Sequence, residues 1–257
     1  MNVELMTNMA ADNMLELSSN PYPGRGIVVG TSQDGKFVVQ IYWIMGRSDN
    51  SRNRIFSTEG GRLFTEAADP SKVKDPKLII YNAMDEFCGS CVVSNGDQTD
   101  TVIDALMNDT WADLSEALNE RDYEPDEPNF TPRITGLSTL LDNSHYSELS
   151  MLRKSRLSAD PKSDCEHFVF ELASIAPGFG FCITTYMGDG NPLPSFVGEP
   201  YPVLIDGGID EVLQKYWEIL NEANRVSLAV KFIEIATGKS EIKVINKYTK
   251  VAPVATA

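Results

Sequence analysis

The chain has 257 residues, 42% of them hydrophobic, and a formal net charge of −15. That length and apolar content support a substantial core, and the acidity excludes general nucleic-acid binding, which needs a basic surface. No run approaches the roughly 18 apolar residues that span a bilayer, and the start MNVELMTNMAADN is not a secretory leader, so one elaborated cytoplasmic domain over residues 1–257 is expected.

The first clear element is a hairpin. The β-rich runs 26–30 (GIVVG) and 36–44 (KFVVQIYWI) are joined by the turn-type stretch TSQDG. A polar, Arg-rich loop (MGRSDNSRNR, 45–54) follows directly on a strand end, where chemistry tends to sit. Strands are predicted at 77–82 (KLIIYN) and 91–94 (CVVS), then a helix over 101–119 with Val102, Leu106, Leu114 and Leu118 near helical spacing. The acidic, proline-bearing stretch 122–130 (DYEPDEPNF) reads as a loop, and the polar segment 141–165 as an excursion from the core. A strand is expected at 179–185. Ile209, Val212, Leu213, Tyr216, Trp217 and Leu220 mark one face of a helix over 209–224, and a second hairpin pairs 226–235 with 241–248. Hairpins with segregated helices predict an α+β protein with mainly antiparallel sheets.

Charge is unevenly spread. Between Pro21 and Leu63, Arg25, Lys36, Arg47, Arg52, Arg54 and Arg62 face only Asp34, Asp49 and Glu59, which suits a small anionic ligand better than a polymer, although chance clustering on a solvated face accounts for the charge equally well. The GRGIVVG run is not a dinucleotide fingerprint, because a β-branched run follows the glycines where a helix should open. Cys88-Gly-Ser-Cys91 has no second half-site, so a tight turn is the better reading than a metal site. The four cysteines, Cys88, Cys91, Cys165 and Cys182, read as reduced thiols rather than a disulfide framework. With His145 and His167 the only histidines, Ser/His and Cys/His dyads are disfavoured, leaving Arg, Tyr, Glu, Asp and Lys as candidate catalysts. The loop Ser94-Asn-Gly-Asp-Gln-Thr-Asp100 offers amides, hydroxyls and backbone N–H groups, though plain helix capping explains it as well.

Four segments in register resemble the IMP cyclohydrolase family of archaea and some bacteria. They are Tyr22-Pro-Gly-Arg25 with its hairpin, Gly46-Arg-Ser48 to Asn53-Arg54, Tyr81-Asn82 with 92–101 (VVSNGDQTDT), and Asp122-Tyr-Glu124 leading to Thr131-Pro-Arg-Ile134. On this resemblance residues 21–134 carry the core motifs, about 137–178 is an insertion, and 209–248 form a C-terminal helix and hairpin. The resemblance implies a four-layer α-β-β-α sandwich like that of the N-terminal-nucleophile hydrolases, without their processed nucleophile. It further implies ring closure of 5-formamidoimidazole-4-carboxamide ribonucleotide to IMP, with Arg54, Tyr81 and Glu124 catalytic. Arg25, Arg47, Asn53, Asn95, Gly96, Thr99, Asp100 and Arg133 are the implied substrate contacts. The expected partner is a small purine nucleotide, with no nucleic-acid polymer, no membrane, no metal and no organic cofactor, and assembly as a homodimer or homotetramer. Two alternatives stand beside this: an amidohydrolase of the same architecture, and a non-catalytic purine-nucleotide binding protein.

Overall fold

The computed structural model describes residues 3–73, 76, 79–142, 144–158 and 165–251. Its frame is two antiparallel sheets. The first has the order β11-β10-β1-β2-β12-β13, formed by β1 (Gly26–Thr31), β2 (Phe37–Met45), β10 (Phe179–Thr184), β11 (Tyr201–Leu204), β12 (Arg225–Glu234) and β13 (Ser240–Asn246). The second runs β3-β4-β5-β6-β7-β8-β9, formed by β3 (Ile55–Glu59), β4 (Arg62–Glu66), β5 (Tyr81–Phe87), β6 (Ser90–Ser94), β7 (Arg133–Leu141), β8 (Ser144–Lys154) and β9 (Cys165–Leu172).

The apolar runs at β1 and β2 are near-continuous because both faces are covered. Alternate residues part to opposite sides of the sheet. Ile27, Val29, Tyr42 and Ile44 enter a core shared with Leu63, Ala83, Val93 and Leu149 of the second sheet. Val28, Ile41 and Trp43 enter another with Met14 and Leu17 of α1 (Val3–Ser19) and Val212, Leu213 and Tyr216 of α5 (Ile209–Ile219). On the far side, Val102, Ile103 and Leu106 of α3 (Gln98–Asn108) and Leu114 of α4 (Leu114–Ala117) pack on Val92, Leu137 and Leu152. The layer order is therefore helices, sheet, sheet, helices, as expected. No helix among the described residues is long and apolar enough to cross a membrane.

Several elements depart from the sequence reading. The helix expected over 101–119 is two helices, α3 and α4, because two aspartates between them capture backbone donors that a continuous helix would use: Asp109 accepts from Trp111 N and Asp113 from Glu116 N. The helix expected to reach 224 stops at Ile219, where Leu220 turns extended. The strand expected over 77–82 begins at Tyr81 instead and runs on to Phe87; Lys77 and Leu78 lie outside the described residues. The segment 141–165, expected to leave the core, supplies β8, buried from Ser147 to Arg153. Its polar side chains hid that burial. Ser147 meets Ser138 at 3.0 Å, and Glu148 accepts from Leu114 N and Tyr146 Oη, so these two side chains are satisfied inside the sheet, whereas Ser150 Oγ is enclosed without a partner among the described residues. The Cys88-Gly89 pair is the tight turn of the β5–β6 hairpin, both residues at positive φ (48° and 85°).

Candidate active site

The start of β1, the end of β2 and the loop 122–131 meet at one mouth of the sandwich, around a cavity of about 300 Å³. Gly24 opens this region at φ +74°, and a Cβ there would lie 2.2 Å from Thr185 Oγ1, so the approach of the chain to its neighbour requires glycine. Arg25 follows, buried, its Nη2 donating to Glu124 Oε2 at 2.9 Å. Glu124 is held by its own N–H to Thr131 O, and no hydrogen bond to its carboxylate besides that from Arg25 is found among the described residues. Burial pushes the Glu124 carboxyl above the ordinary range, opposed by Arg25 and reinforced by Asp126. Burial is the strongest single influence and works against the Arg25 charge, but Glu124 together with Tyr81, Tyr42 and Tyr186 outweighs it and holds the guanidinium above its ordinary range.

Gly46 lets the loop after β2 close tightly, since a Cβ would meet the Ser51 backbone at 2.7 Å. The short helix α2 (Asp49–Arg52) follows, capped by a reciprocal Ser48–Ser51 pair. Arg47 leaves this loop to bond Asp189 and Gly190 O, its guanidinium 4.9 Å above the Tyr22 ring. Tyr22 in turn stacks on Tyr186 at 6.1 Å. Arg54 is different. It lines the cavity at 8% exposure, yet its guanidinium has no ion pair or hydrogen bond among the described residues, and Nε is fully enclosed without an acceptor. A buried cation with no counter-charge is costly, so the position is built for an anion or developing negative charge.

Tyr81 is buried behind this mouth, its hydroxyl 2.6 Å from that of Tyr42. Both hydroxyls lie within electrostatic reach of Arg25, and burial holds Tyr42 well above the ordinary phenol range.

The cavity thus gathers Arg25, Arg47, Arg54 and Glu124 of the sequence-predicted residues, with Tyr81 just beneath. The others stand elsewhere. Asn53 faces away and exchanges two hydrogen bonds with the Asp69 backbone (2.8 and 2.6 Å), anchoring the residue next to Arg54. Asn95 bridges Pro132 O and Ile134 N, and Thr99 pairs with Ser94. Arg133 packs against Gly96 and bonds Asp97 and Gln98, while Asp100 accepts from Asn82. These residues brace the 131–134 segment and the start of α3 rather than line the cavity. Sequence reasoning missed Tyr186 and Asp126. Asp126 accepts from Thr131 N and Oγ1, and Thr131 Oγ1 also meets Tyr186 Oη, closing one wall. An acidic residue in a proline-bearing loop and a tyrosine after a strand carry no pattern that marks them.

A family model described as IMP cyclohydrolase-like protein matches residues 22–239. An IMP cyclohydrolase of Methanosphaera stadtmanae is 28% identical over 169 residues, 64% of this chain and 73% of that protein. Those of Methanothrix thermoacetophila and Methanopyrus kandleri are 34% identical over 118 residues and 36% over 121, covering 45% and 44% of this chain and 57% of each relative.

Proposed function

The chain belongs to the IMP cyclohydrolase-like family, and from that premise we propose that it closes the six-membered ring of a purine nucleotide, converting 5-formamidoimidazole-4-carboxamide ribonucleotide to IMP and water. The observation that carries the reading within this chain is Arg54: a buried guanidinium without a counter-ion among the described residues, facing a cavity of about 300 Å³ alongside the buried Arg25–Glu124 pair. That volume is at the small end of ligand sites.

In the reaction the carboxamide nitrogen attacks the formyl carbon of the same molecule. A C–N bond forms as the formyl oxygen takes the carbonyl electron pair and a proton; the C–O bond then breaks with a second proton to release water, and the formamide nitrogen gives up its N–H proton to form the ring C=N bond. The nucleophile is tethered, so positioning supplies much of the rate, but an amide is weakly nucleophilic and the developing oxyanion needs a donor. Arg54 is assigned to that oxygen. Glu124, with its raised carboxyl, is assigned to take the amide proton, a task that suits a group titrating nearer neutrality. Tyr81, coupled to Tyr42, is assigned to donate to the departing hydroxyl. Arg47 on its Tyr22 platform, with Arg25, is assigned to the anionic part of the nucleotide. A cytoplasmic homodimer or homotetramer belongs to the same reading and rests on the family resemblance. Following absorbance as the purified protein is mixed with the formylated nucleotide tests the proposal: appearance of IMP supports it, and no conversion refutes it.

A further inference from the structure

Away from the cavity, Asp122, Cys165 and His167 bring a carboxylate oxygen, a thiol sulfur and a ring nitrogen within 4.8 Å of one another. We propose that these three residues form a binding site for a divalent cation of the zinc class. Cys165 and His167 stand two apart on β9, so the strand's period of two puts them on one face. Their backbone is fixed by pairing of Cys165 with Lys154 and His167 with Leu152. Asp122 arrives from the other direction, on the chain leaving α4, and its neighbour Arg121 is tied to Asp97 at 2.5 Å. Separate elements therefore hold both halves of the trio in place.

The donor set selects the ion. Magnesium and calcium take oxygen ligands, whereas a thiolate and an imidazole joined by one carboxylate suit zinc or cobalt. Tetrahedral bonds of about 2.0–2.3 Å would bring ligand atoms to about 3.3–3.8 Å of each other, inside the 4.8 Å within which they lie here. Asp122 and His167 are exposed, and rotation of their side chains supplies that closure. Three protein ligands leave one position for water. Coordination releases the Cys165 thiol proton to solvent, so binding strengthens as pH rises. The consequence is local: Asp122 lies two residues before Glu124, and a bound ion pins the stem of that loop to β9.

The test is spectroscopic and independent of turnover. The whole chain, stripped with a chelator, is titrated with Co²⁺. One equivalent should give thiolate-to-cobalt charge transfer and tetrahedral visible bands, which Zn²⁺ then abolishes. Cys165→Ser should lose the charge-transfer band. His167→Ala and Asp122→Asn, both at exposed positions, should weaken binding by more than about 10-fold, the least that losing even an outer partner costs. A Cys88→Ser/Cys91→Ser double variant should bind unchanged. Absence of the charge-transfer band at one equivalent, its persistence in Cys165→Ser, or undiminished affinity in His167→Ala overturns the proposal.

Discussion

Arg25 Nη2 and Glu124 Oε2 lie 2.9 Å apart though the two residues are separated by 99 positions, and both side chains are almost wholly buried. The contact joins the entry to β1 with the loop 122–131, so the same pair that faces the cavity also fastens its two walls. Removing one partner leaves the other as an unpaired buried charge. Glu124→Ala should cost about 3–5 kcal/mol in urea unfolding. Glu124→Gln keeps the hydrogen-bond acceptor and should cost less, while still lowering kcat by about 10²–10⁴-fold if proton transfer is its task.

The pH dependence follows from the direction of the shift. The folded-state Glu124 carboxyl titrates above its ordinary 4.5 because burial outweighs Arg25. The folded chain therefore holds that proton more tightly than the unfolded chain does, and the stability this group contributes is fully present below the ordinary value and lost as pH rises through the folded one. Turnover runs the opposite way, since a base must be ionised. The acid limb of kcat should inflect above the ordinary glutamate range, and Glu124→Gln should remove it.

Arg54 separates function from stability. Among the described residues its guanidinium has no partner to lose, so Arg54→Met should leave the melting temperature unchanged or raised. The same variant should lose about 10²–10³-fold in kcat, the range for deleting an oxyanion donor. Turnover and thermal unfolding on one preparation check both.

The legible part of the fold was the part with uncompromised pattern. The β1–β2 and β12–β13 hairpins and the start of α5 declare themselves through β-branched runs and helical spacing. β8 does not, because its polar Ser147 and Glu148 occupy buried positions that only hydrogen bonds from distant residues make tolerable. At the site, Arg25, Arg54 and Glu124 were reached through a resemblance, since no local spacing links residues brought together from β1, the β2–β3 loop and the loop 122–131. Asn53 and Asn95 show the reverse: amides beside the site motifs that fasten backbone, while Thr99 bonds the Ser94 hydroxyl. Cys165 and His167 carried no metal signal by themselves, because the third ligand lies more than forty residues earlier in the chain.

The Tyr42–Tyr81 hydroxyl pair should behave as a unit. Tyr81→Phe leaves the buried Tyr42 hydroxyl without its partner at 2.6 Å and should cost about 1–3 kcal/mol. The double variant with Tyr42→Phe should cost less than the sum of the singles. Only variants lacking the Tyr81 hydroxyl should show the full fall in kcat, which a double-mutant cycle run on both stability and turnover resolves.

An ion pair between the two sheets supplies a control. Lys231 is completely buried and bonds Glu86 Oε2 at 2.6 Å and Gly61 O at 2.7 Å, away from the cavity. Glu86→Gln leaves that ammonium without its counter-charge and should cost about 1–2 kcal/mol, a figure reduced because Glu86 itself is partly exposed. Lys231→Met, which removes the buried charge, should cost less. Both should keep wild-type kcat.

The most direct test is single-turnover conversion of the formylated carboxamide ribonucleotide by the wild-type chain and by Arg54→Met, with IMP quantified as product. The wild type should give stoichiometric IMP and water, and the variant should react at least about 10²-fold more slowly at unchanged thermal stability. No IMP from the wild-type chain, or an unchanged rate in Arg54→Met, would contradict this assignment.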